Sequence, residues 1–108
     1  MSYVAPLTVL SAVVVLDSSL EGWPLLDPSI DVDREDRTFR YAVSFSRSFS
    51  ASPVVQVGMV GIDADKGDNL RVRVRAVDIT AAGFTILAAT WLNTRIWSVE
   101  VSWLAIGG

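Results

Sequence analysis

The second half of the chain alternates apolar and polar residues with a period of two, which places successive side chains on opposite faces of a β-strand. Between residues 70 and 76 the apolar positions alternate with three arginines, Arg71, Arg73 and Arg75. From Trp97 to Trp103 two tryptophans and two valines share one predicted face, with serines and a glutamate on the other. No helical period competes with this pattern, so both segments are predicted to be half-buried strands.

Turn-forming residues separate these strands and indicate where others begin. Runs rich in Asp, Asn, Gly and Ala occupy residues 63–69, 81–83 and 93–94, spacings that suit antiparallel hairpins. Further strands are predicted at 7–16, 39–45 and 53–60, with a long irregular loop at 18–37. About six strands in 108 residues predict an all-β fold, a six-stranded antiparallel β-sandwich that forms one domain over 1–108.

The chain is unusually apolar for a soluble monomer of its size. Hydrophobic residues make up 51% of it and the mean hydropathy is +0.42, although a small domain must keep much of its surface in water. The stretch from Leu10 to Leu16 is apolar at nearly every position, so we expect the core to cover one face and a neighbouring subunit the other. These features predict a homo-oligomer.

Charge and residue types exclude several classes of function. A net charge of −3 and a pI near 4.7 offer no attraction to phosphate backbones or anionic lipids, so no nucleic-acid partner is expected. The sequence contains neither cysteine nor histidine, which removes thiolate and histidine-assisted nucleophiles and the usual zinc or iron ligands. We expect a non-enzymatic protein with no catalytic residues, no metal site and no cofactor.

The apolar segment from Val4 to Leu16 could be mistaken for a targeting or membrane segment. It lacks a basic region before it, and it is shorter than the about 20 apolar residues that cross a bilayer. We interpret it as a buried strand and expect neither a signal peptide nor membrane insertion.

Three charged features allow both a functional and a structural interpretation. The run from Asp63 to Asp68 resembles a calcium loop but lacks the glycine and glutamate positions of an EF-hand, which favours a solvated turn. The strand arginines could form an anion track or pair with carboxylates of the charged loop, and the net charge favours pairing. The acidic run from Asp31 to Asp36 could supply the two carboxylates of a glycoside hydrolase, but adjacent loop charges are usually only solvated.

Two tryptophans, Trp91 and Trp97, flank a short turn that contains the amide and hydroxyl of Asn93 and Thr94. Tryptophan rings stack on sugars and anchor interfaces, although core packing is the commoner fate of a single tryptophan. Arg71 stands next to the preceding turn, where a side chain reaches loops more readily than from mid-sheet. The combination favours a recognition site at this end of the sheet.

Several spaced elements occur in a familiar order: Asn69-Leu70-Arg71-Val72, then Gly83-Phe84, then the run from Thr90 to Trp103. Over 38–106 they resemble the H-type lectins, which include the snail agglutinins and the C-terminal domains of the discoidins. The resemblance implies a sandwich that assembles into homotrimers, sometimes paired into hexamers. It also implies binding of terminal galactose or N-acetylgalactosamine between protomers, as in cell adhesion.

The same resemblance implies which residues contact the sugar. The arginine of the Asn-Leu-Arg-Val segment is Arg71, and the turn tryptophan is Trp91. Residues of that turn contribute from the adjacent protomer, and the adjoining contact positions fall on Leu92, Asn93 and Trp97. A guanidinium fork can bind vicinal hydroxyls, and an aromatic ring can cover the apolar face of a sugar.

Two positions depart from the family pattern. Leu92 stands where binders of N-acetylgalactosamine carry a histidine, so we expect no polar contact to an acetamido group there. A loop aspartate is also implied, but alignment without gaps from Trp23 places Arg34 at its position. A shift of one residue restores the match, so Asp33 is the first candidate and Asp36 the second.

The usual disulfide of the family is missing, because the chain has no cysteine. This suits a reducing compartment or a microbial source. We expect a cytoplasmic location or export by a route without a signal peptide. The alternative to a lectin is a structural trimerisation or attachment module that binds no sugar, as part of a larger surface or fibre assembly.

Overall fold

Six antiparallel β-strands make up the described part of the protein, which comprises residues 6–27, 36–67 and 69–108 of a computed structural model. The strands are β1 (Thr8–Asp17), β2 (Arg37–Ser44), β3 (Val54–Ala64), β4 (Arg73–Val77), β5 (Gly83–Thr90) and β6 (Ile96–Gly107). Over these three ranges no helix is long and apolar enough to span a membrane.

The strands form two sheets of three. In the β6 sheet the order is β1-β6-β3, and in the β5 sheet it is β2-β5-β4. Every pairing is antiparallel. The all-β class and the six antiparallel strands predicted from the alternation are therefore confirmed.

Several strand ends differ from the prediction. β4 begins at Arg73, so Arg71 precedes the strand. β3 continues past Val60 to Ala64, because the register shifts between Met59 and Gly61 and pairing with β6 then resumes. The extra residue on β3 forms a bulge of the kind that bends a strand without ending it.

The core lies between the two sheets and alternates with outward-facing residues along each strand. Its fully buried side chains include Leu16, Ile86, Val99 and Val101, each of which stabilises the fold by roughly 1.5–3 kcal/mol on burial. At the end of the sandwich where β2 ends and β5 begins, an aromatic cluster has ring centroids 5.1–5.9 Å apart; it consists of Phe45, Phe49, Phe84 and Trp103. The opposite end carries the candidate site.

The outer faces of the two sheets differ in chemistry. On the β6 sheet, Val9, Val13 and Val15 of β1 are all more than half exposed, and Val9 is paired with Ile106 on the same face. On the β5 sheet, the register places Arg40 and Arg75 on either side of Leu87. Within one chain the outer face of β1 is therefore uncovered.

Candidate functional site

Two segments meet at one end of the sandwich, the stretch 69–72 before β4 and the turn 91–95 between β5 and β6. Two buried threonines join them. The Thr90 hydroxyl donates a hydrogen bond to the carbonyl of Arg71, and the Thr94 hydroxyl donates one to the carbonyl of Asn69 at 2.5 Å. Thr90 and Thr94 are 0% and 2% exposed, so these bonds satisfy buried polar groups and fix one segment against the other.

The side chain of Arg71 extends over the same turn. Its Nη1 donates to the Thr94 hydroxyl oxygen at 3.2 Å, and the residue is half-buried. Arg71 therefore contacts the loop beyond the sheet, as its place beside a turn predicted, and it does not share the strand face of Arg73.

A second arginine, Arg37, binds backbone carbonyls of the 91–95 turn and of the long loop. Its guanidinium donates to the carbonyls of Pro24 at 3.2 Å, Leu92 at 2.9 Å and Thr94 at 2.6 Å. Burial lowers the pKa of Arg37, the nearby charge of Asp27 opposes that shift, and Arg95 adds to it. One planar donor group thus holds the long loop and the site turn together.

The backbone of the turn is strained at Leu92. Its φ of 56° lies in the left-handed region, which costs a non-glycine residue roughly 1–2 kcal/mol. The bond from Arg37 to the Leu92 carbonyl helps to hold this conformation. Asn93 follows at the exposed tip of the turn.

Trp91 lies beside an ion pair at the start of β4. The guanidinium carbon of Arg73 is 4.8 Å from the centroid of the Trp91 ring, within the range of a cation–π contact. Arg73 also pairs with Asp36 at 3.3 Å. The predicted pairing of strand arginines with carboxylates of the charged loop is confirmed at this pair.

Trp97 belongs to a different cluster. The register between Asp63 and Ala64 skips one residue of β6, and Trp97 is that residue. The bulge turns it away from the buried face shared by Val99 and Trp103, so the prediction that Trp97 lies on that face is wrong. Trp97 is 45% exposed.

The indole N–H of Trp97 donates to Asp65 at 2.9 Å. Asp65 also lies 3.9 Å from Arg95, and the Asp65 amide bonds to the Arg95 carbonyl at 3.0 Å. Trp97 is thus anchored at the end of β3, with part of its ring open to solvent.

The structure brings the predicted contacts together only in part. Arg71 and Leu92 are linked through Thr94 and Arg37, and Asp36 is linked to Trp91 through Arg73. Asp33 lies outside the described residues. In the three described ranges no group of three or more Asp, Glu, His or Cys could hold a metal ion.

Comparison with known proteins identifies the domain type. A family model described as the H-type lectin domain matches residues 40–106, which include β3 to β5, all but the last residue of β6 and both segments of the site. Lectin domains of this kind bind carbohydrate and are in general not catalytic.

Solved structures share the fold. Discoidin II of Dictyostelium discoideum superposes with a TM-score of 0.74 at 24% identity, over 94% of this chain and 37% of that one. The tailspike protein gp49 of Pseudomonas phage LKA1 gives 0.57 at 17% identity, over 94% of this chain and 15% of that one.

One relative in sequence comes from Fuscovulum blasticum. It is described as ATP synthase subunits region ORF 7 and is 42% identical over 71 residues. The match spans 66% of this chain and 62% of that protein.

Proposed function

Because the chain belongs to the H-type lectin family, we propose that it is a non-catalytic lectin that binds galactose-type sugars between the protomers of a homo-oligomer. The observation that carries the proposal is the position of Arg71. Its guanidinium has five N–H donors, and Thr94 accepts from only one nitrogen. Among the described residues no other acceptor binds this guanidinium, which leaves its other donors for vicinal hydroxyls of a sugar.

The surroundings of Arg71 favour recognition by a preorganised site. Thr90 and Thr94 fix the backbone on which Arg71 stands, and Arg37 holds the facing turn. A site held in its bound geometry loses little conformational entropy when the ligand arrives. The Trp91 side chain is also held in place, because the Arg73 guanidinium packs over part of its ring.

The sugar preference follows from Leu92. An apolar side chain at this position donates no hydrogen bond to an acetamido oxygen, so galactose is expected to bind at least as well as N-acetylgalactosamine. An aspartate from the 31–36 run would complete the site, with Asp33 first and Asp36 second, and residues of the 91–95 turn of the neighbouring protomer would contribute. The ion pair of Asp36 with Arg73 favours Asp33, because Asp36 would have to give up that contact.

The apolar outer face of the β6 sheet supports assembly into a trimer. Val9, Val13 and Val15 are exposed on one face of β1, with Ser11 between Val9 and Val13, and an exposed face rich in apolar side chains marks an interaction surface. Assembly would place several weak sites on one particle, where their combined binding to a multivalent glycan is stronger than that of any one site.

A glycan array tests this proposal. We expect signals from galactose-terminated glycans, and at least a tenfold loss for Arg71→Ala, since hydrogen bonds to a charged group are worth about 1.5–3 kcal/mol. Arg47→Ala, an exposed arginine between β2 and β3, is the matched control and should bind normally. Unchanged binding by a folded Arg71→Ala protein would refute the site.

The second candidate is a structural trimerisation or attachment module without sugar binding. It is favoured by the shared fold with the phage tailspike and with the R1 pyocin fiber of P. aeruginosa, which superposes with a TM-score of 0.54 at 18% identity. A trimer in solution with a silent glycan array would support this candidate and contradict the lectin.

A further inference from the structure

The outer face of the β5 sheet contains a cleft with a cationic rim. The register aligns Arg40, Leu87 and Arg75 in one row across the three strands, and Thr38, Ala89 and Arg73 in the next. The cleft is shallow and open to solvent, and its lining residues are Asp36, Thr38, Arg73, Arg75, Leu87 and Ala89.

Charge in this cleft is not balanced. Arg73 pairs with Asp36 at 3.3 Å and Arg40 pairs with Asp78 at 3.2 Å. Among the described residues no carboxylate lies within ion-pair distance of Arg75, which is exposed. Within the described residues, the positive charge of Arg75 therefore has no carboxylate partner beside the cleft, although the chain as a whole is acidic.

The floor and walls of the cleft suit a sugar ring. Ala89 is small and leaves room above the sheet, and Leu87 provides an apolar patch for the C–H face of a pyranose. The Thr38 hydroxyl and the Asp36 carboxylate line the same space and can exchange hydrogen bonds with ring hydroxyls. A guanidinium at the rim can bind a carboxylate or a sulfate with two parallel hydrogen bonds.

We propose that this cleft is a second binding site, which takes an acidic saccharide and holds its carboxylate or sulfate on Arg75. The choice of a saccharide over another anion rests on the proposed lectin function, whereas the cationic cleft itself does not. Arg73 connects the two sites, because its guanidinium lines the cleft and also lies on the Trp91 ring. A glycan with a neutral galactose and an acidic neighbour could therefore occupy both.

Matched pairs of sugars test the proposal by isothermal titration. Galactose 6-sulfate is compared with galactose, and glucuronic acid with glucose, so that the two arms separate sulfate from carboxylate recognition. We expect the acidic member of at least one pair to bind about tenfold more tightly at low salt, as a charge-assisted contact predicts. The preference should weaken in 0.5 M salt because the site is exposed.

Variants assign the effect to Arg75. Arg75→Gln should abolish the acidic preference and leave neutral galactose binding intact, whereas Arg71→Ala should do the reverse. Arg47→Gln removes the same charge elsewhere and should have no effect.

The proposal is overturned if both pairs bind equally, or if Arg47→Gln loses the preference as Arg75→Gln does. Inorganic sulfate binding as tightly as the sulfated sugar would reduce the cleft to an anion site. A change of oligomer mass in Arg75→Gln would make the face a contact between copies. Failure of the lectin proposal has a different signature, the loss of neutral galactose binding by the unmodified protein.

Discussion

The two sheets of this sandwich bury similar residues on their inner faces and differ on their outer faces. The β6 sheet exposes valines from β1, with Val13 58% exposed. The β5 sheet exposes arginines and their carboxylate partners, with Arg40 60% exposed. One outer face has the composition of a surface to be covered, and the other that of a surface that stays in contact with water and its solutes.

The difference shows how a short chain with high mean hydropathy can divide two tasks. Most of the exposed large apolar side chains lie on the β6 sheet, so the proposed assembly through that sheet would leave the opposite sheet and the Arg71 turn accessible. Two arginines of β2 differ in the same way. Arg37 donates to three backbone carbonyls, whereas the Arg40 side chain is mostly exposed to solvent. Substitutions test each of these differences.

The largest effect is expected from a charge placed on the apolar face. Val13→Asp should raise the dissociation constant of the proposed homo-oligomer at least about a hundredfold, because an unpaired carboxylate buried in an interface costs several kcal/mol. Sedimentation equilibrium measures the mass. Ala42→Asp, on the exposed outer face of β2, is the control and should assemble normally; equal effects of the two would erase the contrast between the faces.

A large effect on stability is expected at Arg37. Arg37→Met keeps much of the aliphatic stem but leaves three carbonyls without their donor, so the free energy of unfolding should fall by about 3 kcal/mol. For a domain of this size that lowers Tm by about 15 °C. Urea unfolding and thermal melts measure both, and a loss below about 1 kcal/mol would show that the turn does not depend on Arg37.

The same substitution at the exposed arginine should matter little. Arg40→Met breaks the pair with Asp78, whose side chain is 71% exposed, and exposed pairs contribute about 0.2–1 kcal/mol. We expect a change of at most about 0.5 kcal/mol in the same unfolding assay, and less in high salt. A loss as large as that of Arg37→Met would mean that exposure does not distinguish the two.

The smallest effect is expected at the end of the apolar face, where β1 ends in Asp17. Hydrogen bonds from the side chain and amide of Ser19 lower the pKa of Asp17 below its ordinary value of 3.8. A lowered pKa in the folded state stabilises the protein above that ordinary value, and the contribution is lost as the pH falls through the folded-state pKa.

Ser19→Ala tests this contribution, because it removes the side-chain bond to Asp17. The variant should be slightly less stable than the unmodified protein at pH 6, and the difference should shrink below about pH 4. A difference that stays constant down to pH 2 would exclude titration of Asp17 as its source.

Much of the fold could be predicted from alternation alone, and the exceptions have local causes. A period of two predicts Trp97 on the same face as Val99 and Trp103 because it assumes an unbroken ladder, and nothing in Ile96-Trp97-Ser98 indicates a bulge. Arg37 was missed because it ends a charged run that looks solvated. The carbonyls it binds come from Pro24, Leu92 and Thr94, and their convergence is visible only in three dimensions.

A site residue could be predicted from the sequence where its place beside a turn and its chemical type both indicated binding. Arg71 is a cation beside a turn, which predicts a side chain that reaches a loop, and its contact with Thr94 agrees with this prediction. The cleft on the β5 sheet had no such signal, because it depends on the small size of Ala89 and on two strands that flank β5 from distant parts of the sequence.

The lectin proposal requires that a sugar binds at the Arg71 turn. A crystal structure of the protein with galactose tests this requirement. We predict galactose hydroxyls within hydrogen-bond distance of the Arg71 guanidinium, with the turn around Leu92 on one side and a second protomer on the other. A sugar bound away from this turn, or a turn left empty at saturating galactose, would contradict the account.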